Sequence, residues 1–209
     1  MIKAVIFDMD GVLIEAKDWH YEALNKALNL FGFNISRFDH LTKFDGLPTK
    51  DKLNILTTEY SLPIELHSFI NEMKQNYTME IVHTKCKPLF IHEYALSKLK
   101  MEGYKLAVAS NSIKNTIITM MEKAALSNYL EIMLSNEDVV KGKPDPEIYT
   151  KTINLLGLTP EECVVVEDNE NGIRAAKAAG AHVLIVNEVT DVIYRNIRQF
   201  IDSVEEKKA

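Results

Sequence analysis

Apolar and polar positions along the chain follow two rhythms. Five short runs are continuously apolar and rich in β-branched residues: "AVIFD" (4–8), "KLAVAS" (105–110), "EIMLS" (131–135), "CVVVED" (163–168) and "HVLIVN" (182–187). Runs of this length without polar alternation predict strands covered on both faces, as in a parallel sheet. Between the later runs the apolar residues recur three or four apart. Ile113, Ile117, Met120 and Ala124 share one helical face. Asp145 and Pro146 are placed as N-cap and first residue of a helix carrying Ile148, Tyr149 and Ile153, which Gly157 closes; Gly180 ends "GIRAAKAAG". Strand alternating with helix predicts an α/β domain built on a doubly wound parallel sheet.

The interval from Ile14 to His83 breaks this alternation and contains no strand-like run. Three helical stripes occupy it: Tyr21, Leu24, Leu28 and Phe31, with Gly32 after them; Leu53, Leu56 and Tyr60; and Leu66, Ile70, Met73 and Tyr77. They predict a helical bundle inserted after the first strand. The expected boundaries are a core of residues 1–14 and 84–209 and an inserted unit of residues 15–83, with hinges at Ile14–Lys17 and His83–Lys87. The alternative is that these helices simply cover one face of the sheet.

Composition narrows the class. The 209 residues fit one compact domain with or without a small insertion, and 46% apolar content supplies a full core. A net charge of −6 disfavours a general nucleic-acid or anionic-membrane surface. Two cysteines in apolar surroundings, Cys86 and Cys163, fit a reducing cytoplasm better than a disulfide scaffold. The apolar stretch Ile2 to Phe7 is too short for a signal peptide or membrane span and contains Lys3. The chain ends in the charged "EEKKA".

The chemistry is concentrated at the strand ends. Ligands of a parallel sheet bind beyond the carboxyl ends of its strands. Asp8 ends the first run, Ser110 the second, and Glu167 and Asp168 the fourth. Three acids at one rim repel each other and become tolerable around a divalent cation; an oxygen-only set favours a hard ion such as Mg²⁺. There is no CxxC or HExxH pattern for zinc. Lys143, in "KGKPDP", lies in a loop restrained by Pro144 and Pro146, and a fixed lysine beside carboxylates points to an anionic substrate. These features together indicate phosphoryl chemistry with a carboxylate nucleophile. A second acid must protonate the departing alcohol and then activate water. Asp10 has that reach, and Gly11 lets the chain turn away behind it.

"DMDGVL", "ASNS", "KGKPDP" and "VVEDNENGIRAAKAAG", in this order and spacing, resemble the four motifs of the haloacid dehalogenase superfamily. The resemblance covers nearly the whole chain, including a helical cap after the first motif. It implies Asp8 as nucleophile and Asp10 as acid/base. Ser110 is implied to bind a phosphoryl oxygen, and Lys143 to bind the phosphoryl group and orient Asp8. Mg²⁺ is implied to be held by Asp8, Asp168 and the backbone carbonyl of Asp10, with Glu167 in an outer shell. Gly11, His20, Gly46, Lys50 and Asn111 are the expected substrate-binding residues.

Asp10 separates the chain from the metal-free dehalogenases and the phosphonatase-like members, which lack a second acid in the first motif. The β-phosphoglucomutase type resembles it in "DxxxHxxA", read through His20 and Ala23, with Glu15 where such chains often carry Asp. The mutases usually place an arginine in the cap loop; "FDGLPTKDK" has Thr49 and Lys50 there instead. The expected activity is therefore Mg²⁺-dependent hydrolysis of a small phosphate monoester, with a sugar phosphomutase or a non-catalytic binding protein on the same fold as alternatives. The expected partner is that small molecule, with no nucleic acid or membrane, and the expected state is a monomer or weak homodimer. Trp19 is placed equally at a cap–core seam or against substrate, and Lys74 is expected to be solvated.

Overall fold

A computed structural model describes residues 1–44 and 46–207 of the protein. Asp45, within "FDGLPTKDK", and Lys208 and Ala209 of the charged end lie outside the described residues. The chain opens with β1 (Ala4–Phe7). It continues through helices α1 (Lys17–Asn29), the single turn α2 (Arg37–Asp39), which runs on as a π turn over His40–Phe44, α3 (Thr49–Tyr60) and α4 (His67–Lys85). Then follow α5 (Phe90–Met101), β2 (Lys105–Ala109), α6 (Lys114–Lys123), β3 (Ile132–Leu134) and α7 (Glu147–Leu155). β4 (Cys163–Glu167), α8 (Glu170–Ala178), β5 (His182–Ile185) and α9 (Tyr194–Glu206) complete it. The chain divides into two compact units, one of Met1–Glu15 with Lys87–Ala209 and one of Ala16–Cys86. Among the described residues no helix is long and apolar enough to cross a membrane.

The first unit is a five-stranded, all-parallel sheet in the order β3-β2-β1-β4-β5. β1 lies at its centre because all four of its residues are apolar and none reaches solvent. Ala4, Ile6, Ala107, Cys163 and Val165 pack on one face with Ile148, Tyr149 and Ile153 of α7 and Ala175 and Ala176 of α8. Their alternates Val5, Phe7, Leu106, Val108, Val164 and Val166 are equally buried. Both faces are thus covered, at roughly 1.5–3 kcal/mol for each large apolar side chain removed from water. The two edges depart from the expected pattern: β3 is only partly buried, and β5 ends with Ile185 exposed. The chain leaves β1 for β2 and β3 on one side, then crosses back to β4 and β5 on the other. The direction of winding therefore reverses between β1 and β4, and a crevice opens there beyond the strands' carboxyl ends.

The second unit has its own core of Leu24, Ala27, Leu28, Ile35, Phe44, Leu53, Leu56, Leu62 and Ile70. The three expected stripes supply its centre, but their ends differ. Phe31 lies past the end of α1 and is exposed, meeting Phe69 edge to face; Tyr60, the last residue of α3, is also exposed. Tertiary packing buries Leu24, Leu28, Leu53, Leu56 and Ile70 and leaves Phe31 and Tyr60, at or beyond the fraying helix ends, to solvent. α4 continues through His83–Lys85, where a hinge was expected, and extended backbone begins only at Cys86. Helix α7 starts one residue later than its sequence suggests: Pro146 is the N-cap, and Asp145 Oδ1 accepts from the Glu147 N–H at 3.0 Å.

In the first unit, His92 of α5 is fully buried, with Nε2 2.8 Å from the carbonyl of Val189 and a further hydrogen bond to the Leu13 backbone. Burial lowers its pKa against the opposing pull of those hydrogen bonds. The unfolded chain therefore protonates here more readily than the folded one. The resulting stability is complete above the unfolded value of about 6.5 and is lost as pH falls below it. The urea midpoint is expected to drop between roughly pH 7.5 and 5.5, and His92→Gln to flatten that drop. A His92→Gln profile parallel to the wild type would remove His92 as its cause.

Candidate active site

Asp8 directly follows β1, and its N–H donates to the Val166 carbonyl of β4 at 3.0 Å. Register therefore sets Asp8 beside Glu167, the last residue of β4. Lys143 arrives from the loop between β3 and α7. Its ammonium donates to Asp8 Oδ1 at 2.6 Å and to Glu167 Oε1 at 2.7 Å. All three side chains are nearly or wholly out of water, with 4% of Lys143, 11% of Asp8 and 1% of Glu167 exposed. Charges this deeply buried are tolerable only when paired and hydrogen-bonded.

Glu167 is held on every side. Oε1 also accepts from the Tyr149 hydroxyl at 2.6 Å, and Oε2 accepts from the N–H groups of Asp168 at 3.1 Å and Asn169 at 3.4 Å. The Tyr149 ring lies 4.8 Å below the Lys143 ammonium. Burial and the neighbouring carboxylates Glu167 and Asp8 push the Tyr149 phenol well above its usual range, so it donates. Helix α8 approaches closely: a Cβ on Gly172 would fall 1.7 Å from Glu167 Oε1.

Burial raises the Asp8 pKa well above the ordinary carboxylate range. Lys143 opposes this, while Glu167, Asp10 and Asp168 add to it. For Lys143, burial alone would lower the pKa, but Asp8 and Glu167 outweigh it and keep the ammonium charged. One carboxylate oxygen from each of Asp8, Glu167 and Asp168 lies within 4.8 Å of the others. Three acids facing a single bridging ammonium leave a negative excess, and their all-oxygen chemistry fits a hard divalent cation.

The other expected residues of this unit surround the cluster through the loops after β1 and β2. Gly11 adopts φ +88°, and its N–H donates to the Ile14 carbonyl at 2.7 Å, so the chain doubles back behind Asp10. The Asp10 carboxylate is not in the three-acid group; Oδ2 accepts from the Ser112 hydroxyl at 2.9 Å. Ser110 is buried, and its Oγ accepts from the Ser112 N–H at 3.1 Å. Asn111 directs its carboxamide at the Lys143 backbone. Ser112, Tyr149 and Gly172 escape a reading based on charge. Ser112 lies within the quoted "ASNS", two residues after Ser110. Tyr149 and Gly172 carry only the signals of a core residue and a helical glycine.

His20, Gly46 and Lys50 belong to the other unit. His20 is half-buried, with Nδ1 3.4 Å from the Lys74 ammonium. Gly46 takes φ +68°. Lys50 is exposed, near the start of α3. Lys74, expected to be solvated, is buried together with Lys52. Their aliphatic stems can lie along the apolar faces of α4 and α3.

Residues 5–186 match the haloacid dehalogenase-like hydrolases, and the chain belongs to that family. A phosphorylated carbohydrates phosphatase of Thermotoga maritima is 32% identical over 86% of this chain and 82% of its own. A phosphoglycolate phosphatase of Aquifex aeolicus is 29% identical, also over 86% of this chain and 82% of its own. The crystal structure of a β-phosphoglucomutase from Clostridium difficile superposes with a TM-score of 0.84, covering 97% of this chain and 98% of that one. At 23% identity the last is a likeness of fold.

Two substitutions probe the packing around Glu167. Gly172→Ala must displace either the carboxylate or α8, so overpacking is expected to cost about 1–3 kcal/mol of stability. Tyr149→Phe keeps the ring and removes one donor to a charged acceptor, with an expected cost of about 1.5–3 kcal/mol. Equilibrium urea unfolding measures both. Unchanged stability in Gly172→Ala would show that the carboxylate does not lie against the helix.

Proposed function

We propose that the protein is a phosphatase that hydrolyses a small phosphate monoester, a sugar, polyol or similar metabolite phosphate. The observation that carries this reading is the buried Lys143 ammonium bridging Asp8 and Glu167 at 2.6 and 2.7 Å beside Asp168. Family membership supports hydrolysis, and the names of the Thermotoga and Aquifex relatives support a phosphorylated metabolite as substrate.

Asp8 is the nucleophile in this reading. Its carboxylate oxygen attacks phosphorus as the ester P–O bond breaks, giving an aspartyl phosphate. Asp10, as the carboxylic acid, protonates the departing alkoxide. Asp10, now a carboxylate, then takes a proton from water as the water oxygen attacks phosphorus. The P–O bond to Asp8 breaks, inorganic phosphate leaves, and Asp10 is again the acid. The Ser112 hydroxyl holds Asp10 in place through both steps. Lys143 and Ser110 bind the phosphoryl oxygens, and Lys143 keeps Asp8 oriented. Asp8, Asp168 and the Asp10 backbone carbonyl would hold Mg²⁺, with Glu167 outside them because its oxygens already accept from Lys143, Tyr149 and two backbone N–H groups. When bound, the ion supplies positive charge against the phosphoryl oxygens. In this reading substrate selection falls to the inserted helical unit, with His20, Gly46 and Lys50 as its substrate-binding residues.

Phosphate release from a panel of metabolite phosphates tests the activity. Turnover is expected to require Mg²⁺, to stop in excess EDTA, and to resume when Mg²⁺ is restored. Asp8→Asn should fold and bind substrate yet show no turnover, because a neutral amide cannot serve as the nucleophile. Full activity in EDTA, or in Asp8→Asn with deamidation excluded, would overturn the metal or the covalent step respectively.

A ³¹P NMR time course separates phosphatase from phosphomutase. A mutase must grip a second phosphate and keep water from the aspartyl phosphate. Lys50 offers a flexible point charge without the two-pronged grip of arginine. A sugar 1-phosphate with a trace of bisphosphate is therefore expected to yield inorganic phosphate. Conversion to the 6-phosphate with little free phosphate would assign the protein as a mutase.

A further inference from the structure

Lys143 has to deliver its ammonium into a buried cluster from a loop with no regular structure. Four rotatable bonds separate that ammonium from the backbone. During turnover Asp8 carries the phosphoryl group, and its hold on the ammonium changes. The backbone end of Lys143 must then be fixed by something else.

The fixing group is Asn111, directly after Ser110 at the end of β2. Asn111 Oδ1 accepts from the Lys143 N–H at 3.0 Å, and Asn111 Nδ2 donates to the Lys143 carbonyl at 3.3 Å. One carboxamide thus brackets both polar groups of the Lys143 residue's backbone. Gly142 lies close to this carboxamide. A Cβ there would be 2.8 Å from Oδ1 and 3.4 Å from Cγ of Asn111. Gly142 is not among the glycines with positive φ, so its backbone suits any residue. The obstacle to a side chain at 142 is the Asn111 carboxamide itself.

We propose that Asn111 is a positioning residue that acts through Lys143, and that Gly142 is glycine to leave room for the Asn111 carboxamide. The proposal rests on Lys143 being the phosphoryl-binding cation. It differs from a substrate contact by Asn111, because an acceptor and a donor of the carboxamide are already committed to the Lys143 backbone.

The test combines kinetics with amine labelling of the folded protein by an acylating reagent, read lysine by lysine in the mass spectrometer. Asn111→Ala and Gly142→Ala are each expected to lower kcat by roughly ten- to a hundredfold, with a smaller change in KM, as for a misplaced catalytic group. In both variants Lys143 should label faster while the other lysines keep their rates. Asn111→Asp, which keeps the acceptor for the Lys143 N–H, should fall between the wild type and Asn111→Ala. It also serves if Asn111→Ala fails to fold. Gly142→Ala should add no further loss in the Asn111→Ala background, since the clash is gone. Additive losses in that double variant would overturn the proposal. So would a rise in KM alone with Lys143 labelling as in the wild type. If Lys143→Ala retained full turnover, the reading of Lys143 would fail instead, while the labelling would still report whether the clamp exists.

Discussion

The structure of the candidate site depends on one constraint, the burial of an ammonium between two carboxylates. A charge out of water is costly, and the attraction between Lys143, Asp8 and Glu167 offsets that cost only if the geometry is held and the remaining lone pairs are satisfied. Much of the local architecture meets this condition. The parallel pairing of β1 with β4 puts Asp8 beside Glu167. Tyr149 and two backbone N–H groups satisfy the remaining acceptors of Glu167. Gly172 lets α8 approach the carboxylate, and Asn111 anchors the residue that brings the ammonium. Asp168 then adds a third acid to the group. The three acids outnumber the one ammonium that bridges two of them, and this imbalance is the electrostatic basis of the proposed cation and phosphoryl site.

Much of this was legible in the sequence because buried parallel strands and carboxylates at strand ends leave strong local marks. Short apolar runs located all five strands, and the abrupt acids ending the first and fourth located the rim. Short-range patterns could not show which acid pairs with which. The family resemblance sets Glu167 apart from Asp168, in an outer shell, yet its partners Lys143 and Tyr149 come from another loop and helix. Tyr149 reads correctly as a core residue of α7. Its hydroxyl has a second role that hydrophobic periodicity cannot register. Helices α5 and α9, which pack on each other and against β2 and β5, carry no motif of the site, although Ile197, Ile201 and Val204 form a helical stripe on α9.

The inserted unit was legible at a coarser level. Its three stripes marked the helices, and Leu24, Leu28, Leu53, Leu56 and Ile70 from them join the core. The charged residues were harder to place. Lys50 and Lys52 are two positions apart on α3, which puts them on different faces of a helix turning 100° per residue. Lys52 adjoins Leu53 on the buried side, and Lys50 is exposed. The position of the mutase arginine in the cap loop favours Lys50, whereas helical phase brings Lys52 under cover. Lys74 is similar: its position four residues after Ile70 puts it on the buried face of α4, near His20. Helical phase was the better guide to burial for both lysines, because a long aliphatic stem follows the apolar stripe whatever its head group.

The tripeptide after β2 ties these observations together. Ser110, Asn111 and Ser112 are consecutive, yet they reach three different places. Ser110 Oγ closes the turn onto the Ser112 N–H. The Asn111 carboxamide holds the Lys143 backbone in the loop after β3. The Ser112 hydroxyl reaches Asp10 in the loop after β1. Three loops that are far apart in sequence are therefore cross-linked by short polar side chains with few rotatable bonds. Such side chains lose little conformational entropy when fixed, so rigidity is obtained here at lower cost than long charged residues would require. Lys143 is the long residue of the site, and it is tied at both ends. The same logic explains why small polar residues, rather than more charges, surround the acids. They fix geometry without altering an electrostatic balance already set by Asp8, Glu167, Asp168 and Lys143.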